Sequence, residues 1–258
     1  MHPPFPFPFN QVVFYLHLYS LLPTPYSLLP PSMTLILTND DGIDAPGIEA
    51  LVQAVLGHDI IIAAPSDHQS GCGHQVTTTR PITLYRLSEH EYAIGGTPAD
   101  CTRIALTHIC PKPQFVLSGI NAGGNLGVDA YISGTIAAVR EAAMLGIPGI
   151  AISQYRKGKL DFDWKMATEL TKQVLADLLN RPLEAETFWN VNLPHLLPTE
   201  PEPEIVFCQP CTKPLPVDYR IEGDQFYYIG NYSQRDRTEG SDVDVCFSGN
   251  IAVTQLKV

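Results

Sequence analysis

The chain has 258 residues, 45% of them hydrophobic, which is enough for a substantial α/β core. A formal net charge of −11 and a pI near 5.0 argue against a nucleic-acid-polymer or anionic-membrane surface, since both would repel the chain. Six cysteines over this length rule out a disulfide scaffold and make a reducing cytoplasm the expected compartment.

Residues 1–32 contain no Asp, Glu, Lys or Arg and hold eight of the 23 prolines. Their apolar stretch at 12–22 is too short to span a bilayer and lacks the basic flank of a secretory signal. The segment is expected to be a disordered leader, or sequence upstream of the true start, because Met33 stands directly before the first strand.

Residues 34–47, TLILTNDDGIDAPG, join a buried strand to a polar turn and a helix start. The unbroken run Leu35, Ile36, Leu37 predicts a strand covered on both faces of a parallel sheet. Asn39, Asp40 and Asp41 then fall at its carboxyl end, where open α/β sheets place their ligands. Two adjacent carboxylates repel unless a cation lies between them or one is protonated. Oxygen donors point to one hard divalent ion, Mg2+ or Mn2+. Asn-Asp-Asp-Gly is equally ordinary Asx-turn chemistry.

DIIIAA at 59–64 predicts a second buried strand, ending in a polar loop with Ser70 beside Gly71. His68 and His74 flank that loop, and either has the chemistry of a general base or of a solvated side chain. Residues 76–85 and 91–94 predict a β-hairpin. In GTPADC, Thr97 is the expected N-cap, Pro98 the first helical residue and Asp100 a structural first-turn acid.

A third strand over 115–117 leads into SGINAGGNLGVDAYISGT, which offers Asn121 and Asn125 as neutral donors. The loop ends in Ser133-Gly134-Thr135 before the helix IAAVREAAML. N–H groups at that helix start suit a phosphate, while a glycine-rich loop can also be only a connector. There is no P-loop Gly-Lys-Ser/Thr. GIAIS at 149–153, a helix over 161–179 and FWNVNL at 188–193 complete a repeated β-α order, hence a Rossmann-like, doubly wound, mostly parallel sheet.

Beyond a proline-rich linker near 197–203, residues 205–208, 225–229 and 250–257 predict antiparallel strands of a smaller β-rich segment. Cys208 and Cys211 form a lone CxxC, short of a zinc pattern. Residues 230–240, with Arg235, are expected to form a mobile loop.

NDDGIDAPGI, the Ser70-Gly71 loop, GTPADC, SGINAGGNLG and SGT occur in an order that resembles the SurE (survival protein) family of metal-dependent 5'/3'-nucleotidases, from residue 33 onward. The resemblance implies an α/β core over 33–195 and a β-rich C-terminal extension over 196–258 exchanged between subunits of a homodimer or homotetramer. It implies one divalent metal on Asp40, Asp41, Ser70 and Asn121, with Asn39, Asn125, Ser133, Gly134 and Thr135 around the phosphate. The implied substrates are nucleoside monophosphates. Asp40 and Asp41 are the expected catalytic residues, one taking a proton while water attacks a phosphomonoester in line. Ile132 stands where many members carry Tyr, and Val258 falls earlier than relatives with a final helix. A non-catalytic metal and nucleotide sensor is the alternative that the same residues allow.

Overall fold

The computed structural model describes residues 32–197 and 199–258, so the leader reading falls, but for Ser32, outside the described residues. The apolar run at 35–37 forms β1 (Thr34–Thr38), and its three central side chains are fully shielded. Asn39 then closes the turn: its amide donates to the Gly42 carbonyl at 2.7 Å, and its Oδ1 accepts the Gly42 N–H at 3.2 Å. Gly42 has φ of 107°, a conformation that Cβ disfavours. Proline at the first helical position opens α1 (Pro46–Ala54), followed by β2 (Asp59–Pro65).

The expected hairpin narrows to β3 (Leu84–Arg86) and β4 (Glu91–Ile94), paired antiparallel. Residues 76–83 form no regular strand. Next comes α2 (Pro98–Ile104), on which the sequence reading holds in detail. Thr97 Oγ1 accepts the Asp100 N–H at 3.2 Å, and Asp100 accepts the N–H groups of Thr97 at 3.0 Å and Thr77 at 2.9 Å. Burial alone would raise the Asp100 carboxyl, but these bonds outweigh it and hold it below the usual range.

The chain continues through β5 (Phe115–Ala122), α3 (Gly134–Met144), β6 (Gly149–Gln154), α4 (Trp164–Leu178) and β7 (Thr187–Leu193). β8 (Ile205–Phe207), β9 (Tyr219–Glu222), β10 (Gln225–Tyr228), α5 (Asp242–Phe247) and β11 (Ile251–Lys257) follow.

One nine-stranded sheet runs β3-β4-β2-β1-β5-β6-β7-β11-β8. The steps from β4 to β7 are all parallel, as the β-α order predicts, and β11 is antiparallel to β7. Of the late strands expected to be antiparallel, β11 is so against β7, and β8 departs by pairing parallel with β11. Ile251, Ala252 and Val253 are buried and align with 205–207, a direction that strand propensity alone does not carry. β9 and β10 form a separate antiparallel ribbon, and β9 and α5 were not foreseen.

α1 and α4 pack on one face of the sheet over Leu35, Leu117, Ile152 and Val191, and α2 and α3 cover Ile36, Val116 and Ile94 on the other. No described helix is long and apolar enough to cross a membrane.

Gly47 fixes how closely α1 approaches the sheet, because a Cβ there would run into the Ile120 carbonyl oxygen. Gly47→Ala must push α1 off β5, an overpacking cost of about 1–3 kcal/mol. The expected result is a lower urea midpoint with an unchanged m-value, read by circular dichroism.

Candidate active site

The carboxyl ends of β1, β2 and β5 lie side by side and supply the polar groups. Asp40 is buried, and the Thr135 hydroxyl donates to its Oδ1 at 2.6 Å, which ties β1 to the first turn of α3. Gly134 presses on the same carboxylate: a Cβ at 134 would stand 2.9 Å from that of Asp40 and 3.2 Å from the Cys72 sulfur. Ser133 caps α3 by accepting the Ile136 N–H at 3.2 Å, and the Gly134 and Thr135 N–H groups, in the first turn, have no intrahelical partner.

Asp41 turns the other way. Its Oδ2 accepts the Ala122 N–H at 3.2 Å, and its Oδ1 lies 3.4 Å from His68 Nδ1. Burial is the main force pushing the Asp40 carboxyl up to about 6; the Thr135 hydrogen bond opposes it, and the Asp41 charge adds to it.

Asn121 donates its amide to the Gly123 carbonyl at 2.7 Å, which leaves Oδ1 as its free donor atom, one residue from the backbone N–H that holds Asp41. Ser70 is exposed on the loop after β2, tethered near the site through the bond from the Gln69 N–H to the Asp40 carbonyl at 2.7 Å. Asn39 sits in the turn below.

Asn125 belongs to a different network. Its side chain donates to Ser153 at 2.8 Å, and its carbonyl accepts from Asn190 at 2.9 Å and Asn192 at 3.0 Å. It therefore shapes the glycine-rich loop from the β6 and β7 side and makes no hydrogen bond to Asp40.

Of the two histidines, His68 faces the site. His74 is instead held by Glu141 at 2.8 Å, with Arg103 on the other Glu141 oxygen at 2.6 Å. That buried acid stays below its usual range, because the His74 and Arg103 bonds outweigh desolvation. The CxxC cysteines are free thiols, and burial pushes Cys208 up to about 12.

Arg235 overturns the mobile-loop reading. Its guanidinium is fully buried and donates to Asp129 at 2.8 Å, a carboxylate that also takes the Tyr232 hydroxyl at 2.5 Å. A charge desolvated on a loop is stable only with such a partner, which lies 106 residues away and leaves no local sign. Asp242, also unforeseen, accepts N–H groups from Gly127 at 2.6 Å, Cys211 at 2.7 Å and Val243 at 2.8 Å.

The donor set suits a hard divalent cation. Asp40 and Asp41 are adjacent carboxylates, and Ser70 and Asn121 offer neutral oxygens from the loop after β2 and the end of β5; among the described residues no group of three or more His, Cys, Asp or Glu gathers. Beside Asp41 opens a cleft of about 410 Å³, with Trp164 as a wall. A larger one, about 550 Å³, lies by Trp189, Phe207 and Ser241, apart from the carboxylates, so volume does not mark the chemistry here. Trp164 had no signal in sequence beyond Asp163 capping its helix, through a bond from the Met166 N–H at 2.9 Å.

Comparison with known proteins supports one lineage. A family model described as "Survival protein SurE" matches residues 35–214. A relative in Nostoc sp., whose own 5'-nucleotidase name is provisional, is 73% identical over 226 residues, covering 88% of this chain and 100% of that one. The "5'-nucleotidase SurE" of Paramagnetospirillum magneticum is 34% identical over 235 residues, 88% of this chain and 90% of its own. The crystal structure of the SurE protein from Aquifex aeolicus superposes with a TM-score of 0.76 at 32% identity, covering 87% of this chain and 93% of that one. With the family's motifs set at the ends of β1, β2 and β5 and the start of α3, this chain belongs to the SurE family.

Proposed function

We propose that the chain is a divalent-metal-dependent 5'-nucleotidase that hydrolyses nucleoside 5'- and 3'-monophosphates to nucleoside and phosphate. The observation that carries this reading is the contact between Thr135 and the buried Asp40, which ties the carboxylate at the end of β1 to the start of α3. The 5'-nucleotidase name of the Paramagnetospirillum magneticum relative points the same way.

Asp40, Asp41, Asn121 and Ser70 would hold one Mg2+ or Mn2+. When bound, that ion supplies charge neutralisation at the phosphoryl oxygens and lowers the pKa of water. Thr135 orients Asp40, and the Ala122 N–H orients Asp41. The Gly134 and Thr135 N–H groups receive the charge that grows on the transferred group. His68, at 3.4 Å from Asp41, is placed to pass a proton at the cleft mouth.

All six cysteines are free thiols, which supports a reducing cytoplasm as the setting. Exposed Ile221, Phe226 and Tyr228 on the β9–β10 ribbon support a homodimer or homotetramer.

The test is phosphate release from a panel of nucleoside 5'- and 3'-monophosphates with Mg2+, Mn2+ or EDTA. Release with either metal and none in EDTA is the expected result. Tight nucleotide binding without release would replace the enzyme by a sensor.

A further inference from the structure

The proposed chemistry accounts for one end of a nucleotide and leaves the other without a seat. The cleft beside Asp41 brings that carboxylate, His68, Ala122, Pro46 and Trp164 into one lining, and Asp40 is the next residue along the chain. Its volume of about 410 Å³ falls within the range of roughly 300–1,000 Å³ typical of small-molecule sites.

Trp164 is held as a rigid plate. Its ring stacks on Phe162, with centroids 5.1 Å apart and planes at 26°, and the Arg156 guanidinium lies 5.3 Å from the Phe162 centroid. The indole lies next to α1, where a Cβ at Gly47 would be in van der Waals contact with the ring at 3.4 Å. Asp163 caps the helix that Trp164 begins, fixing the backbone beneath it. A half-buried indole stacked on Phe162 and lining the same cleft as a carboxylate suits a ligand with a charged end and a flat end.

We propose that Trp164 is the nucleobase platform of this site, so that the base stacks on the indole while the phosphate lies at Asp40 and Asp41. This rests on the phosphatase reading above and adds the residue that selects nucleotides among phosphomonoesters. Every base offers a π-face, so the platform accepts purines and pyrimidines alike and rejects esters with no ring.

The experiment compares the full chain with Trp164→Ala and Trp164→Phe on a purine 5'-monophosphate, a pyrimidine 5'-monophosphate and glycerol phosphate. The ratio of kcat/KM for either nucleotide to kcat/KM for glycerol phosphate falls on the order of tenfold in Trp164→Ala, mainly through the nucleotide KM, and Trp164→Phe restores part of it. The chain has two tryptophans, so Trp189→Phe leaves Trp164 as the sole indole emitter. Its fluorescence is expected to be quenched by nucleoside monophosphates and not by glycerol phosphate.

An unchanged ratio, or fluorescence that nucleotides do not move while phosphate is released, overturns the platform. Release from no substrate overturns the phosphatase reading instead, and quenching then still decides the platform by itself.

Discussion

Asp40→Asn is expected to reduce phosphate release on the order of a thousandfold at saturating Mg2+, while leaving the protein folded. The amide keeps the shape of the carboxylate and an oxygen for the Thr135 hydroxyl, but it removes the charge that a divalent cation needs at this position. Melting curves separate this from misfolding. In EDTA the variant melts no lower than the parent, because it no longer buries a carboxylate beside that of Asp41. With Mg2+ at about 100 times its Kd, the parent gains about 2.7 kcal/mol, several degrees of Tm, and the variant gains little. A variant that kept a tenth or more of the parent rate would remove Asp40 from the metal site.

Asp129→Ala is expected to be the most destabilising single change away from the site. The Arg235 guanidinium has no exposed side-chain surface, and the same Asp129 oxygen also accepts the Tyr232 hydroxyl and, at 3.2 Å, the Leu126 N–H. Truncation strands a buried cation and two further donors at once, at about 3–5 kcal/mol. In a chain this size that is a fall in Tm on the order of 10 °C. Replacing both members of the pair, Asp129→Leu with Arg235→Met, should recover much of it, since the isolated charge is then gone. Equal loss in the double variant would mean that packing around Arg235, and not the unpaired charge, sets the cost.

Features with short-range physical causes were the legible ones. The unbroken Leu35–Leu37 run announced β1, the Asn39-to-Gly42 turn followed from its residue types, and Thr97 with Asp100 spelled out its own capping box. The carboxylate pair was visible because two acids after a buried strand are electrostatically awkward. Groups whose partners lie far along the chain stayed hidden. Arg235 reads as a solvated loop charge until Asp129 is placed beside it. Asn125 reads as a free donor until Asn190, Asn192 and Ser153 claim it. The direction of β8 could not be read either, because strand propensity is the same whichever way its neighbour runs.

The order of strands at the far edge of the sheet also governs how this protein can be made. Among the described residues β8 pairs only with β11, and β11 inserts between it and β7. A growing polypeptide therefore finishes β7 and β8 while the strand that joins them is still being synthesised, some 45 residues later. For the seconds that this takes, β7 presents a bare hydrogen-bonding edge carrying Phe188, Trp189 and Val191, all destined for the interior. Such an edge invites pairing with another unfinished copy, so slowed elongation or early release before residue 251 should be marked by aggregation, while the completed chain remains dispersed.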